Sequence, residues 1–534
     1  MSNHTITEQL QGFPIFQMVI VGLLRLSEPI AFASFLSYIF FMIKSFRVAK
    51  DDADVARYTG YLASAFAFSQ FLSSVRWGKA SDKYGRKPVI LLGCLGTAIS
   101  MVVFGFSTNF VMAFVARVMM GLLNGNVSIM RTTVGEIAVE KRHQGIAFSN
   151  LSLLWSLGKC IGAYLAGKLT DVDHFRNYRR DESENENENE NKSAHSEPLF
   201  VRFPFALSNI VISSLILCFI VLGWLFLEET NERVSHRRDR GLEIGDAIRR
   251  LLGFEVPVRP WQMGKSGDTE FLMDDSLRED EDEDEDEGEG ETYEMQSLTS
   301  NEDSTTKRTD SALFTWPIIY RIACNFLLSF CNVIYTEFLP ILLSKSIDVE
   351  SLKFPIHSRG GFGYSTESVG KLLSVTGIVG VIFVSLLFPI INKYLSLLTA
   401  FRSGLGFVPL VSFILPLIIF TIPEYNPLFH SHATTTSLLY FNTFLSSFIG
   451  SISFSQMTLL IHRASPKQNR AVINGYTISF TAFARFLSPL IWGSIMSVCD
   501  TYGVGVVAWW LLGAIYFIVF LFTFLLSEAD EQEG

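Results

Sequence analysis

The sequence predicts an all-α membrane protein with twelve transmembrane helices, arranged as two six-helix halves. Of its 534 residues, 49% are hydrophobic and only 18% are charged, which is too apolar for a soluble domain of this length. Twelve apolar runs reach the roughly 20 residues that a helix needs to cross the hydrocarbon core. A long polar segment separates the first six runs from the last six.

The runs define the domain boundaries. The first six lie at about 15–44, 57–78, 88–108, 110–133, 144–169 and 203–227. The last six lie at about 313–344, 367–391, 396–421, 435–462, 470–498 and 504–527. We therefore expect an N-terminal half at 1–227 with a polar insert at 171–202, a linker at 228–311, a C-terminal half at 312–528 and an acidic tail at 529–534.

The linker is polar and low in complexity. Its run from Glu279 to Glu291 holds eleven acidic residues, and a Ser/Thr-rich stretch follows it. Such a composition buries too little apolar surface to fold, which predicts a disordered segment. Without the acidic run the chain is nearly neutral, so no nucleic-acid partner is implied.

Lysine and arginine counts set the orientation. The short loops on the two sides of the membrane hold similar numbers of lysines and arginines. The ends of the linker add further cations to one side and so decide the orientation. These ends add Arg233, Arg237, Arg238, Arg240, Lys307 and Arg308. The prediction is that both termini and the linker are cytoplasmic. The insert then lies on the other side, where Asn191-Lys-Ser193 is a glycosylation acceptor.

The stretch "WGKASDKYGRKP" (Trp77 to Pro88) joins the second and third runs and carries a dense charge cluster. Gly78 and Gly85 permit close backbone approach and positive φ. We expect Asp82 to accept hydrogen bonds from the amides that begin a neighbouring helix. Lys87 and Arg86 can reach nearby acids. The cluster is predicted to be a cytoplasmic gate that opens when the two halves rock, with further members Glu136, Arg142 and Arg131.

The order Gly-x3-Asp-x2-Gly-Arg-Lys resembles the loop 2–3 signature of the major facilitator superfamily. The extended stretch is similar to that of the zinc-induced-facilitator-like branch and its fungal vacuolar relatives. Other stretches agree, among them "LLRLSEPIAFASFLSYI", "RVMMGLLNGNVSIMRTTVGEI" and "NGYTISFTAFARFLSPLIWGSI". The resemblance implies alternating access and a vacuolar or other endomembrane location. This sequence departs from the family pattern at Lys159, where antiporters of this superfamily often carry proline.

Ionisable groups at membrane depth are costly unless paired or hydrated, so they indicate functional positions. Glu337 is the first candidate proton carrier and Glu28 the second, because a carboxylate in a low-dielectric cavity can exchange protons near neutral pH. Arg25 and Glu28, three residues apart, either form a structural pair or line the central cavity. Lys159 is a candidate to bind an anionic group or to act as a proton-linked switch.

The predicted substrate cavity is lined by Arg25, Arg117, Asn124, Tyr335 and Arg485. Arg485 is either a partner for Glu337 or a clamp for an anionic substrate. Asn124 and Tyr335 either bind substrate or join helices. The excess of cations favours a small anionic or zwitterionic substrate over a bare metal ion. No metal-ligand spacing is present and no cofactor is implied, with the proton as the expected coupling ion.

The sequence carries no P-loop, no Gly-x-Ser-x-Gly and no other enzyme motif, so we predict no enzyme and no ATP-driven pump. The six cysteines lie in or beside apolar runs and are interpreted as small core residues. The favoured function is a monomeric, proton-coupled secondary transporter of a small organic solute in a lipid bilayer. The alternative is a non-transporting sensor that binds a ligand within this fold and signals through the linker.

Overall fold

A computed structural model describes residues 12–138, 140–170, 202–231, 233–254, 256–257, 259, 261, 315–429, 431–465 and 470–527. Asn191, the acidic run and the C-terminal tail lie outside these residues. The N-terminal half contains α1 (Ile15–Ser45), α2 (Asp54–Tyr84), α3 (Arg86–Gly105), α4 (Phe110–Leu123), α5 (Asn126–Ile137), α6 (Lys141–Leu169) and α7 (Ala206–Phe226). A further helix, α8 (Arg240–Leu251), follows them.

The C-terminal half contains α9 (Trp316–Ser344), α10 (Thr366–Tyr394), α11 (Leu397–Leu417), α12 (His432–Ala464), α13 (Arg470–Thr501) and α14 (Gly505–Phe522). In the described part of the chain, nine of these helices are long and apolar enough to cross a membrane: α1, α3, α7 and α9 to α14. The helices α2 and α6 and the pair α4–α5 complete the predicted six plus six. The predicted fold class is confirmed.

The fourth span is broken, which the sequence did not predict. Helix α4 ends at Leu123 and α5 begins at Asn126. Gly125, between them, packs so closely on Trp77 that a Cβ atom would overlap the indole ring. The Trp77 indole nitrogen donates a hydrogen bond to the carbonyl of Leu122, at 2.7 Å. That bond satisfies one of the carbonyls that the end of α4 leaves without a helical partner.

The start of the linker is ordered. Helix α8 lies inside the stretch predicted to be disordered, so that prediction is wrong for residues 240–251. Arg259 explains the order, since its guanidinium donates to both oxygens of Asp246 at 2.7 and 2.8 Å. It also donates to Glu228 at 2.7 Å. These hydrogen bonds raise the pKa of Arg259 against the opposing effect of burial, and they close the segment back onto the end of α7.

The two halves meet at one end of the bundle. We call the end that carries residues 78–87 the motif face and the other end the opposite face. Near the opposite face, Gly60 of α2 lies against the Pro489 carbonyl of α13, and Gly167 of α6 lies against Gly370 of α10. One buried apolar cluster joins Phe35 and its neighbours in α1 to the C-terminal half. Small residues let helix backbones approach this closely in membranes.

Polar contacts strengthen the closure of the opposite face. Lys168 and Glu367 pair across the halves at 2.9 Å. Ser346 donates to Asp52 at 2.8 Å, and Lys44 pairs with the same carboxylate at 2.7 Å. Burial alone would raise the pKa of Asp52, but these hydrogen bonds outweigh it and hold the pKa below its usual value. Asp52 therefore stays charged at mildly acidic pH, and we expect the contact to persist there.

Toward the motif face the halves separate. A Cβ atom added at Gly78 of α2 or at Gly475 of α13 would meet no atom of the described residues within 4 Å. Tyr476 is 44% exposed and Phe480 is 43% exposed on the same stretch of α13. The structure is therefore closed at the opposite face and open toward the motif face.

We expect a Gly370→Val substitution to disfavour this state. A Cβ atom at Gly370 would lie 2.6 Å from the Ala163 carbonyl oxygen and 2.9 Å from the Gly167 Cα, and overpacking of this kind costs about 1–3 kcal/mol. The population should shift toward separation at the opposite face. Spin labels at positions 51 and 359, in different halves, would report longer distances. Gly380→Val is the matched control on α10, because its nearest neighbour lies 3.8 Å away.

Candidate functional site

The charge cluster of the motif face is centred on Arg86. Its guanidinium donates to Asp82 at 2.5 Å, to Ser81 at 2.7 Å and to Glu136 at 3.2 Å. Thr230 donates to the other carboxylate oxygen of Glu136. The neighbouring Lys87 is buried and pairs with Asp239 at 2.6 Å. Arg86, Asp82 and Glu136 come together as predicted. The start of the linker supplies two partners that were not predicted, Thr230 and Asp239.

The carboxylate that caps the N-terminus of α3 belongs to Glu229 rather than to Asp82. Glu229 accepts from the amide of Arg86 at 2.8 Å and from the amide of Lys87 at 3.1 Å. A carboxylate at these free amides is stabilised by hydrogen bonding and by the helix dipole. Asp82 lies one turn back on α2, where it can reach the Arg86 side chain but accepts no amide of α3. The predicted capping role of Asp82 is therefore wrong in this structure.

The two glycines of the motif differ. Gly85 has φ +108° and ψ 160°, a conformation that almost only glycine adopts. A Cβ atom there would overlap the Glu229 carboxylate. Gly78 lies within α2 with open space around it, so its predicted close approach is not made here. The side chain of Arg142 lies outside the described residues.

The cluster does not latch the two halves together in this state. The hydrogen bonds of Arg86, Asp82 and Lys87 described above all go to the N-terminal half or to the start of the linker. They are intact while the halves are apart at the motif face. The expectation that opening breaks contacts among Asp82, Arg86, Glu136 and Arg142 is therefore not met by the first three in this state, and the side chain of Arg142 is outside the described residues. The physical reason is that Glu136 lies in the last turn of α5, in the same half as the junction between α2 and α3.

A chain of polar side chains crosses between the halves near the middle of the membrane. Arg25 pairs with Glu28 on α1, and both are buried. Gln70 of α2 donates to the other Glu28 oxygen at 3.1 Å. Arg485 of α13 donates to the Gln70 amide oxygen at 3.3 Å. Arg25 also lies over the Trp155 ring at 5.0 Å. Glu28 therefore accepts a hydrogen bond at each carboxylate oxygen. The Arg25–Glu28 pair is an ion pair within α1, and it also lies at the centre of the bundle.

Two further cations face the open space beside this chain. Arg131 of α5 is exposed and lies within electrostatic range of Arg25, Arg485 and Glu28. It was expected in the network with Glu136, and it belongs to the centre instead. Lys159 of α6 is partly exposed, and no partner for it is found among the described residues.

The orientation of Lys159 follows from its neighbours on α6. Gly158 and Gly162 pack on Pro29 and Ile30 of α1, while Cys160 contacts Gly377 of α10. The side chain of Lys159 projects between these two contacts, since successive residues are 100° apart around a helix. Trp155, one turn before Lys159 on the same face of α6, lies beside Arg25, so Lys159 is on the face of α6 that is turned toward the central polar chain.

Glu337 of α9 is buried, with 4% of its surface exposed, and among the described residues its Oε2 atom has no hydrogen-bond partner. Arg117 and Arg485 act on it electrostatically. Arg117 does not line the open space, which corrects its predicted place in the substrate cavity. Its guanidinium is enclosed by the rings of Phe35 at 4.0 Å and Phe66 at 4.9 Å. Guanidinium groups tolerate such burial because they are weakly hydrated and stack on aromatic faces.

Tyr335 is also placed away from the space between the halves. Its hydroxyl donates to Asn442 of α12 at 3.1 Å, and its ring packs edge-on against Trp509 of α14. It joins helices within the C-terminal half, so the prediction that it lines the cavity is wrong. Asn124 is buried beside the Arg25–Glu28 pair, and its backbone carbonyl accepts a hydrogen bond from the Gln70 side chain at 3.3 Å.

Sequence reasoning missed three residues of this arrangement: Gln70, Glu229 and Arg131 as a central cation. Gln70 carried a usable signal, because it is an amide in the middle of the apolar stretch "SAFAFSQFLSSV". Arg131 and Arg117 lie in one predicted run, and only the break after Leu123 turns Arg131 toward the centre. Glu229 carried no signal, since its contact is made 143 positions along the chain.

Residues 29–489 match the family profile of the Major Facilitator Superfamily. The chain belongs to the Major Facilitator Superfamily. This is a family of transporters, so the predictions of a membrane transporter and of a protein that is no enzyme are both confirmed. The predicted resemblance is confirmed as well.

The chain is similar in sequence to two named members of the superfamily. The chain is 30% identical to the "Major facilitator superfamily multidrug transporter mfsB" of Aspergillus fumigatus, over 99% of this chain and 86% of the relative. It is 26% identical to "Protein ZINC INDUCED FACILITATOR 1" of Arabidopsis thaliana, over 91% of this chain and 85% of the relative. The zinc-induced-facilitator branch was the one that the motifs indicated.

Solved structures of the superfamily share the fold. The bacterial homologue of the human lysosomal transporter Spinster, in an inward-facing state, matches with a TM-score of 0.62 at 11% identity, covering 98% of this chain and 99% of that one. The D-xylose–proton symporter matches with a TM-score of 0.60, also at 11% identity, covering 97% and 99%. At these identities the likeness concerns the fold alone.

Proposed function

We propose that this Major Facilitator Superfamily transporter moves a small anionic or zwitterionic organic solute by alternating access, in exchange for protons. The observation that carries the proposal is the set of cations around the open space. Arg131 and Lys159 face it, and Arg485 closes its inner end. Of the nearby acids, Glu28 is already occupied by Arg25 and Gln70. A solute with a carboxylate or phosphate would supply the missing negative charge.

Glu337 is the proposed proton carrier. It is buried near two cations, yet one of its oxygens has no hydrogen-bond partner in the described part of the chain. A carboxylate held in that way exchanges its proton when water or a charge approaches. Glu28 is the weaker candidate, because protonating it would remove the negative charge that pairs with Arg25 and displace the donor at the oxygen that takes the proton. Rocking of the halves would alter the distance between Glu337 of α9 and Arg117 of α4, which belong to different halves.

The orientation and location are proposed from charge. Arg86, Lys87 and the arginines of the segment after α7 all lie at the motif face, which favours a cytoplasmic motif face. A vacuolar or other endomembrane location and glycosylation of Asn191 remain predictions from the sequence. In this orientation the structure would be open to the cytoplasm.

The test uses the full-length protein in proteoliposomes that contain a pH-sensitive dye, with an imposed pH gradient. Anionic, zwitterionic and cationic solutes are added in turn. We expect proton movement with an anionic or zwitterionic solute. Arg485→Gln should weaken the apparent affinity roughly tenfold or more, since a hydrogen bond to a charged group contributes about 1.5–3 kcal/mol. Arg238→Gln, at an exposed arginine, is the control and should not change it.

A response to cationic solutes alone would contradict the proposed substrate class. Folded protein that moves neither protons nor solute across the whole panel would contradict transport itself. That result would favour the sensor alternative, in which ligand binding without flux should still be measurable by calorimetry.

A further inference from the structure

Helix α8 presents two different faces. Its residues Gly241, Leu242, Gly245 and Asp246 are buried against the end of α7. A Cβ atom at Gly245 would overlap the Leu225 carbonyl, so the helix lies directly on the backbone of α7. This face is fully occupied by the protein.

The second face is an exposed apolar stripe. Ile244 is 48% exposed, Ile248 36% and Leu251 88%, and these positions follow the i, i+4, i+7 spacing of one helix face. Leu252 at 66% and Phe254 at 65% extend the stripe beyond the end of the helix. In contact with water, a continuous apolar stripe of this kind is unfavourable and indicates a binding surface.

Arg249 fixes the depth of the helix in the membrane. Its guanidinium lies 3.7 Å from the centre of the Phe16 ring and 5.8 Å from that of Phe226. Phe16 belongs to the first turn of α1, and Phe226 is the last residue of α7. Helix α8 therefore lies where these two spans leave the hydrocarbon core, at the level of the lipid headgroups.

The charges beside the stripe are positive. The described acids from Asp239 to Asp246 are already paired within the chain: Asp239 with Lys87, Glu243 with Arg238 and Asp246 with Arg259. Arg240 and Arg250 are exposed at the edges of the helix. An amphipathic helix with exposed arginines and an apolar stripe is typical of one that lies in the membrane interface.

We propose that α8 is an interfacial helix that binds the bilayer. Ile244, Ile248 and Leu251 insert between lipid chains at the headgroup boundary, and Arg240 and Arg250 bind anionic phospholipid headgroups. The first part of the linker is thereby tied to the membrane as well as to α7. The ionic contacts of Arg259 and Lys87 hold the helix in the orientation that turns its stripe toward lipid.

The experiment uses the full-length protein with Cys218→Ser, in nanodiscs of phosphatidylcholine alone or mixed with phosphatidylserine. A spin label is attached at Leu251→Cys or, as the matched control on the polar edge of α8, at Glu243→Cys. Collisions with oxygen, which concentrates in lipid, are compared with those of a water-soluble nickel chelate. We expect oxygen to dominate at position 251 and nickel at position 243. Phosphatidylserine should increase the difference, and Arg240→Gln with Arg250→Gln should remove that increase.

Equal nickel access at positions 251 and 243 in both lipid mixtures would overturn the proposal. Protection of position 251 from oxygen and nickel alike would also overturn it, because a protein surface would then cover the stripe. Leu251 is 88% exposed, so its substitution should leave the fold intact, which a thermal melt of the labelled protein would verify. The result does not depend on the transported solute.

Discussion

Glu337→Gln should abolish substrate-triggered proton movement while leaving exchange of the solute down its own gradient. Glutamine keeps the size and one hydrogen-bonding oxygen of the side chain, but it cannot bind and release a proton. The Oε2 atom of Glu337 is buried and accepts no hydrogen bond from the residues that the structure describes, so the substitution removes no such bond. Removing a buried negative charge beside Arg117 and Arg485 should also change the affinity for an anionic solute.

The measurement is the dye signal in proteoliposomes, set against uptake of radiolabelled solute. Glu350→Gln, on the exposed loop after α9, removes the same charge from a site far from the centre and should change neither quantity. Glu28→Gln makes a second comparison. It should lower the melting temperature, because the buried Arg25 would lose its ionic partner. Persistence of full proton movement in Glu337→Gln would transfer the carrier role to another group.

Much of the fold could be predicted because its main signal is local. A run of about 20 apolar residues can hardly be anything but a transmembrane helix, so the twelve spans and the two halves follow from the chain itself. The motif from Gly78 to Lys87 predicted the ion pairing of Arg86, because Asp82 lies one helical turn before Arg86. Glu337 and Arg485 were selected as candidates because an ionisable group is costly at membrane depth.

The rest depended on contacts that composition does not encode. Arg259 orders the start of the linker by reaching Asp246 and Glu228, yet the same residues spread along a polar segment look like disorder. Arg117 was expected in the cavity because a charge in a membrane usually faces water. Three phenylalanine rings enclose it instead. Tyr335 could not be assigned, since only the rotation of α9 decides between the cavity and α12.

Gly85→Ala should be strongly destabilising, and Gly78→Ala should not. At Gly85 the φ of +108° costs a side chain of order 1–3 kcal/mol. The new Cβ would also displace the Glu229 carboxylate from the amides of Arg86 and Lys87, and losing such a cap costs about 0.5–2 kcal/mol. We expect a clearly lower melting temperature in detergent. Glu229→Ala should reproduce the second part of the effect alone.

Gly78 is the matched control within the same motif, because a Cβ atom there meets nothing within 4 Å. Alanine at this position, inside α2 and before its last turn, should be neutral or stabilise the helix by up to about 1 kcal/mol. Equal destabilisation by both substitutions would contradict this account of the motif. A Gly78→Ala protein with normal stability but reduced flux would have a different meaning. The close approach that the motif predicts at Gly78 would then belong to the state in which α2 and α13 meet at the motif face.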